Sequence, residues 1–249
     1  MPSDKGGEFC AIGLDVYKEL GLTHLADTSI YQPISRITAK TIEAKINKAW
    51  KTICRERNIN WRIERSFVTN NSSLATFHHL IKTHKPGSQL KIRPIVASRG
   101  SPTEKINWLL TNILGPLLKR VPTHLPDSEL LISAISSASP QTLSAYQHQC
   151  SLDVEALYTS IPIDEAMITV RNKLDSEQIT PCPLQTEDVL ALLRSVVSLT
   201  YFHFEGSIYR QVSGLPMGCA VSGIVAILFM ERIERRALDE FARCPIFLR

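Results

Sequence analysis

Ser151-Leu-Asp-Val-Glu-Ala-Leu-Tyr-Thr-Ser-Ile-Pro162, SLDVEALYTSIP, places one acid, Asp153, at the end of an apolar run, and a tyrosine, Tyr158, five residues later. Residues 150–154 read as a short strand, and Pro162-Ile163-Asp164-Glu165 opens a helix. A carboxylate held between a strand end and a helix is rigid and faces a cleft, which suits a divalent cation. The same position equally suits an aspartate that caps a turn or the following helix. Period two points Glu155 to the same side as Asp153, although the turn after the strand breaks that register.

Downstream, Thr186 reads as the cap of an apolar helix, VLALLRSVVSL, and YFHFEGSIYRQV (residues 201–212) as a hairpin turning at Glu205-Gly206. Gly214-Leu215-Pro216-Met217-Gly218 follows, leading into a long helix from about 222 to 242. Two glycines flanking a proline at a hairpin-to-helix junction allow the backbone to approach something flat or bulky. No Gly-Lys-Ser/Thr follows, so this is not a phosphate-cradling P-loop. The closing CPIFLR (residues 244–249) reads as the start of a strand.

Upstream, TIEAKINKAWKTICRER (residues 41–57) sets Ile42, Ile46, Trp50 and Ile53 at helical spacing, with Lys and Arg elsewhere: a basic amphipathic helix. In FHHLIKTHKPGSQLKIRPIVAS (residues 77–98), Pro86-Gly87 marks a turn between two extended segments. Leu90 and Ile92 alternate with Lys91 and Arg93, which predicts an apolar face and a cationic face, and Pro94 predicts a sheet edge. Lys82, Lys85, Lys91 and Arg93 on such a hairpin form either a grip for phosphate or an ordinary exposed edge; the arginine would fork onto two oxygens and the lysines would act as point charges. Ser101-Pro102-Thr103-Glu104 reads as a capping box with proline at the first helical position. Ile106, Leu109, Leu110, Ile113, Leu114 and Leu117 continue that helix, with a bend near Gly115-Pro116.

The whole chain, 249 residues and 44% hydrophobic, is large enough to bury a core. No apolar run reaches the roughly 18 residues of a membrane span, and the start MPSDKGGEFC lacks the order of a secretory signal, so an intracellular, non-secreted protein is expected. The six cysteines are scattered without zinc-ligand spacing and read as reduced thiols. The net charge of +4 is unevenly spread: residues 36–105 carry 15 Lys and Arg against 4 Asp and Glu, and the remainder is net acidic. That asymmetry fits a polyanionic partner for the basic segment, or a set of solvated helix faces.

The order of these parts resembles a right-hand reverse transcriptase, fingers first and palm second. LKIRPIVAS is similar to the fingers strand in which the family places its triphosphate-binding arginine, here Arg93. HKP is similar to the preceding turn, whose lysine is Lys85 here, with Lys91 nearby. SLDVEALYTSIP resembles the first palm motif: the resemblance makes Asp153 a catalytic ligand of both metals, the Val154 carbonyl a ligand of one, and Tyr158 the side chain that rejects a ribose 2′-hydroxyl. GLPMGCAVSGIVAILFME resembles the second palm motif, implying that Gly214, Pro216, Met217 and Gly218 position the template and the incoming base. Within these enzymes the chain is most similar to Penelope-like retroelements, through DVxxLYTSIP, GLPMG with methionine where retroviral enzymes carry glutamine, and KxHKP followed by RPI. Cys219-Ala220-Val221-Ser222-Gly223 departs from the family's Ser-Pro-leucine-Ser-Pro run.

The resemblance implies an α+β fold, with an antiparallel palm sheet packed on helices and no thumb. Its divisions are a lead-in over 1–35, a basic fingers-like region over 36–145 and a partial palm over 146–249. Template, primer and dNTP are the implied partners, and Mg²⁺ or Mn²⁺ the implied cofactor, acting only together with the family's third palm motif, Tyr-x-Asp-Asp. The sequence ends at Arg249, ahead of where that motif is expected, so residues 1–249 alone are expected not to extend a primer and to be marginally stable. Two other readings stay open: a non-catalytic nucleic-acid-binding module built on the basic segment, and a generic metal-dependent phosphotransferase. The last leaves Tyr158 and the GLPMG turn without roles.

Overall fold

The computed structural model describes residues 2–5, 7–83, 90–139, 152–178 and 182–240. Helices and strands alternate as α1 (Leu14–Leu25), β1 (Tyr31–Ile34), α2 (Ala39–Glu56), α3 (Trp61–Phe67), β2 (Ala75–Ile81), β3 (Ile92–Ala97) and α4 (Glu104–Leu114). A 3₁₀ helix (Gly115–Arg120) follows, then α5 (Ser128–Ser137), α6 (Leu157–Ser160), α7 (Ile163–Ser176), α8 (Thr186–Ser198), β4 (Tyr201–Phe204), β5 (Ser207–Gln211) and α9 (Ala220–Glu240). This is an α+β fold.

One five-stranded sheet, in the order β1-β5-β4-β2-β3, takes strands from the first 35 residues, the basic segment and the C-terminal part alike. All its pairings are antiparallel except β2 with β4, where Ala75 lies beside Phe202. The β4–β5 turn has positive φ at both Glu205 (46°) and Gly206 (77°), the backbone twist that a two-residue hairpin needs. β1 and β3 are the edges, and each carries a proline, Pro33 and Pro94. Proline has no N–H to give to a ladder, which is why it stands at an edge.

α1 covers the aromatic face of the sheet. Phe77, Phe202 and Phe204 are buried there with Tyr31 and Leu25, and Tyr17 stacks on His79 at 4.0 Å between ring centroids. Gly21 permits this approach: a Cβ there would lie 2.5 Å from the Phe204 ring. A second, larger core forms among α2, α4, α7, α8 and α9. α2 behaves as its periodicity predicts, burying Ile42, Ile46, Trp50 and Ile53 and leaving Lys40, Lys45, Lys48, Lys51 and Arg55 exposed. Trp50 also donates from Nε1 to the Glu64 carbonyl at 2.9 Å, which fastens α3 to it. Arg57 and Asp188 make a two-pronged ion pair at 2.7 and 3.2 Å between the ends of α2 and α8, while Asp188 also accepts from the Gln185 N–H and closes a capping box.

Four local expectations change. The cap of α8 is Gln185, and Thr186, expected as the cap, is the first helical residue. Residues 152–154 are not in a strand: Leu152 is 91% exposed, Val154 is exposed, and no described strand runs beside them to complete a ladder. Cys150 and Ser151, the other half of that predicted strand, lie outside the described residues, as do the Pro86-Gly87 turn and CPIFLR. The capping box at 101–104 does not close: α4 begins at Glu104, whose carboxylate reaches back instead to the Gly100 N–H at 2.9 Å. Gly100 adopts φ +72°, and the Ser101 N–H that the box would use donates instead to the Ser98 carbonyl at 3.1 Å. Leu90 is exposed, so the apolar face predicted with Ile92 is not buried at its first residue. Among the described residues no helix is long and apolar enough to cross a membrane.

Candidate functional site

The Gly214–Gly218 turn is wedged between two other sequence motifs. On one side, the Leu215 N–H donates to the Tyr158 carbonyl at 2.7 Å, and a Cβ on Gly214 would lie 2.4 Å from the Thr159 Cα. On the other, the Val96 N–H donates to the Met217 carbonyl at 2.7 Å, and the Ser98 hydroxyl donates to the Gly218 carbonyl at 2.9 Å. A Cβ on Gly218 would lie 2.4 Å from the Val96 carbonyl oxygen. Both glycines have positive φ, +71° and +111°, so no other residue fits the backbone or the space.

Tyr158 lies on α6, a single helical turn entered through Ala156 at φ +51°. Its ring packs half-buried against the helical core, and its hydroxyl lies beside the first turns of α9, 3.7 Å from where a Cβ on Gly223 would stand. Asp153 and Glu155 are exposed in the stretch leading into that turn.

The turn has an anchor that sequence reasoning did not single out. Asn107 is buried on α4, and its side-chain oxygen accepts from the Val221 N–H at 3.1 Å and from the Cys219 thiol at 3.0 Å. It thereby holds the start of α9 and the end of the turn at once. Burial pushes the Cys219 thiol up to about 11, so it stays protonated. Asn107 reads in sequence as one of several polar residues on an amphipathic helix, and only its burial marks it.

β3 presents Arg93, Ile95 and Ala97 to one side by period two. Ile95 and Ala97 line an open groove of about 410 Å³, together with Arg99, Trp108, Thr111 and Gly218. Trp108 is largely exposed at this groove, with Phe67 behind it at 6.0 Å between centroids. Arg93 stands at the head of the same strand face, half-exposed, and pairs through Nε with the Asp4 carboxylate at 2.6 Å. Lys91 is exposed, and its carbonyl accepts from the Lys82 N–H at 2.9 Å, which continues the hairpin one pair past β3. Lys85 lies outside the described residues. Thus the structure brings the Tyr158 turn, Gly214, Pro216, Met217, Gly218 and the Arg93 strand together. Among the described residues no group of three His, Cys, Asp or Glu side chains has the placement to hold a metal ion.

No protein-family profile matches the chain, and no curated protein does. A solved structure does: apo telomerase from Candida tropicalis, truncated from its C-terminal domain, superposes with a TM-score of 0.54 at 9% identity, covering 91% of this chain. The fold is reverse-transcriptase-like. At that identity the likeness is one of fold, the fingers-and-palm arrangement, and this chain spans 45% of the telomerase chain's length. It gives the contacts of the Gly214–Gly218 turn an architectural setting, at the seam where the edge strand β3 meets α6 and α9.

Proposed function

We propose that the chain forms the fingers and part of the palm of a reverse transcriptase, an enzyme of template-directed nucleotidyl transfer, of the kind carried by Penelope-like elements. Residues 36–145 are the fingers in this reading and 146–249 the palm part. The observation that carries it is the wedge: Gly214 against Thr159, and Gly218 against Val96, on the strand that bears Arg93. A nucleotide at this seam would meet a guanidinium, a tyrosine ring and a glycine-flanked turn within one site.

The roles follow from chemistry. Arg93 holds triphosphate oxygens by paired N–H donors, with Lys85 and Lys91 adding point charge. The Tyr158 ring packs beneath the sugar and leaves no room for a 2′-hydroxyl. The Gly214–Gly218 backbone supports the new base pair, and the groove beside Trp108 takes the template strand, whose bases stack on an exposed indole. The exposed lysines of α2 draw in the phosphate backbone. Asp153 and the Val154 carbonyl would be the residues of this chain to hold Mg²⁺ or Mn²⁺, a group that would supply Lewis acidity for nucleotidyl transfer. One carboxylate does not make such a centre. The described residues do not fit it by themselves: among them no three His, Cys, Asp or Glu side chains are placed to share an ion.

The test is binding of a fluorescent dNTP to residues 1–249 with an RNA template and DNA primer. Expected is binding that weakens about tenfold or more in Arg93→Ala, and a loss of preference for dNTP over rNTP in Tyr158→Ala. Primer extension is not expected from this chain alone. Template-dependent incorporation that Asp153→Asn abolishes would overturn that expectation. Salt-dependent nucleic-acid binding without nucleotide binding would favour the second reading, a non-catalytic module, to which the exposed cations of α2 lend support.

A further inference from the structure

The N-terminal segment is built onto the fingers hairpin. Pro2 bridges Phe9, Ser3 bridges Ile81 at the end of β2, and the Asp4 N–H donates to the Ile81 carbonyl at 2.9 Å. The Ser3 N–H donates to the Glu8 carbonyl at 2.8 Å and its hydroxyl to the Lys5 carbonyl at 2.6 Å, so the segment folds back on itself before α1. This arrangement points the Asp4 carboxylate at Arg93. The carboxylate is 1% exposed, whereas the arginine side chain is 43% exposed. A buried carboxylate, neither oxygen of which makes a hydrogen bond, thus lies against the Nε of a guanidinium that is otherwise partly open to solvent.

We propose that Asp4 acts as an internal stand-in for phosphate on Arg93, so that the N-terminal segment is an autoinhibitory strap which an incoming triphosphate must displace. This rests on the reading of Arg93 as a triphosphate ligand. The chemistry is competition for one cation. A carboxylate offers a single negative charge and two oxygens, whereas a triphosphate offers several of each, so it wins at sufficient concentration. The open part of the guanidinium gives the triphosphate a first foothold before the carboxylate leaves. Among the described residues, what otherwise holds the strap to β2 is short: the single bridge at Ile81, which includes the Asp4 N–H bond.

The test uses residues 1–249 with inorganic tripolyphosphate and a fluorescent dNTP as probes, comparing the wild type with Asp4→Asn, Arg93→Ala and the double variant. Expected is affinity about three- to tenfold higher in Asp4→Asn, and weak binding in both variants that lack Arg93. Unchanged affinity in Asp4→Asn, together with loss in Arg93→Ala, would overturn the strap and leave the Arg93 reading intact. Unchanged affinity in Arg93→Ala would remove that reading, and the strap with it. Hydrogen exchange on the unmutated chain gives a check independent of any variant: the Asp4 amide should lose protection when tripolyphosphate binds, and retained protection under saturation would overturn the displacement.

Discussion

Gly218 and Val96 meet backbone to backbone across more than a hundred residues of sequence, with the Val96 N–H bound to the Met217 carbonyl at 2.7 Å and its carbonyl oxygen filling the place of a Gly218 Cβ. The contact joins an edge strand to the start of the longest helix, so its loss should be felt by both stability and ligand binding. Gly218→Ala is expected to destabilise by about 2 kcal/mol or more, since it combines a clash with a φ of +111°. Gly206→Ala also meets a positive φ but nothing within 4 Å, and should cost about 1 kcal/mol. Denaturant titration of the two variants checks this; equal losses would mean that β3 yields easily.

A second prediction concerns the buried pair Lys173–Glu231, 2.9 Å apart between α7 and α9. Glu231 also accepts from Arg235 at 2.7 Å, and the Lys173 ammonium donates to the Arg120 carbonyl at 3.3 Å. Glu231→Ala leaves that ammonium with less compensation and should cost about 3 kcal/mol. Asp164→Ala removes the exposed pair with Arg194 and should change stability by less than about 1 kcal/mol. Thermal melts of the two variants should separate clearly.

Acid should weaken the fold through His79. Its ring is fully buried against Tyr17, Phe77 and Phe204, and burial lowers its pKa from 6.5 to about 4, with the nearby His24 and His78 acting in the same direction. The unfolded chain therefore takes up a proton near pH 6.5 that the folded chain refuses until about pH 4. Stability falls as pH drops through that window and levels off below it. His79→Phe, which keeps the stacked ring, should flatten that part of the stability-against-pH curve, and an unchanged slope would assign the acid sensitivity to other groups.

Much of the fold was legible where one force dominates. The spacing of Ile42, Ile46, Trp50 and Ile53 gave α2, and Glu205-Gly206 gave the hairpin, because helical burial and positive-φ turns are local. Pro94 marked β3 as an edge for the same kind of reason. What could not be read depends on distant partners. Residues 152–154 look like a strand by composition, but a strand exists only where another backbone offers its hydrogen bonds. Asn107 and Asp4 became visible only through what lies beside them in space, as did the parallel pairing of β2 with β4. The motifs of Tyr158, Gly214–Gly218 and Arg93 come from resemblance, and the structure sets the Tyr158 turn and the strand that bears Arg93 against the two ends of the glycine-flanked turn.

Pro94 and the Met217 carbonyl act together on the outer side of β3. Val96 turns its N–H outward, and two residues earlier the same direction belongs to Pro94, which has no hydrogen to offer. One outward position is thus silent and the next is already engaged, so a neighbouring molecule finds little to pair with there. The same turn that shapes the candidate site also protects the sheet from growing by addition of a foreign strand.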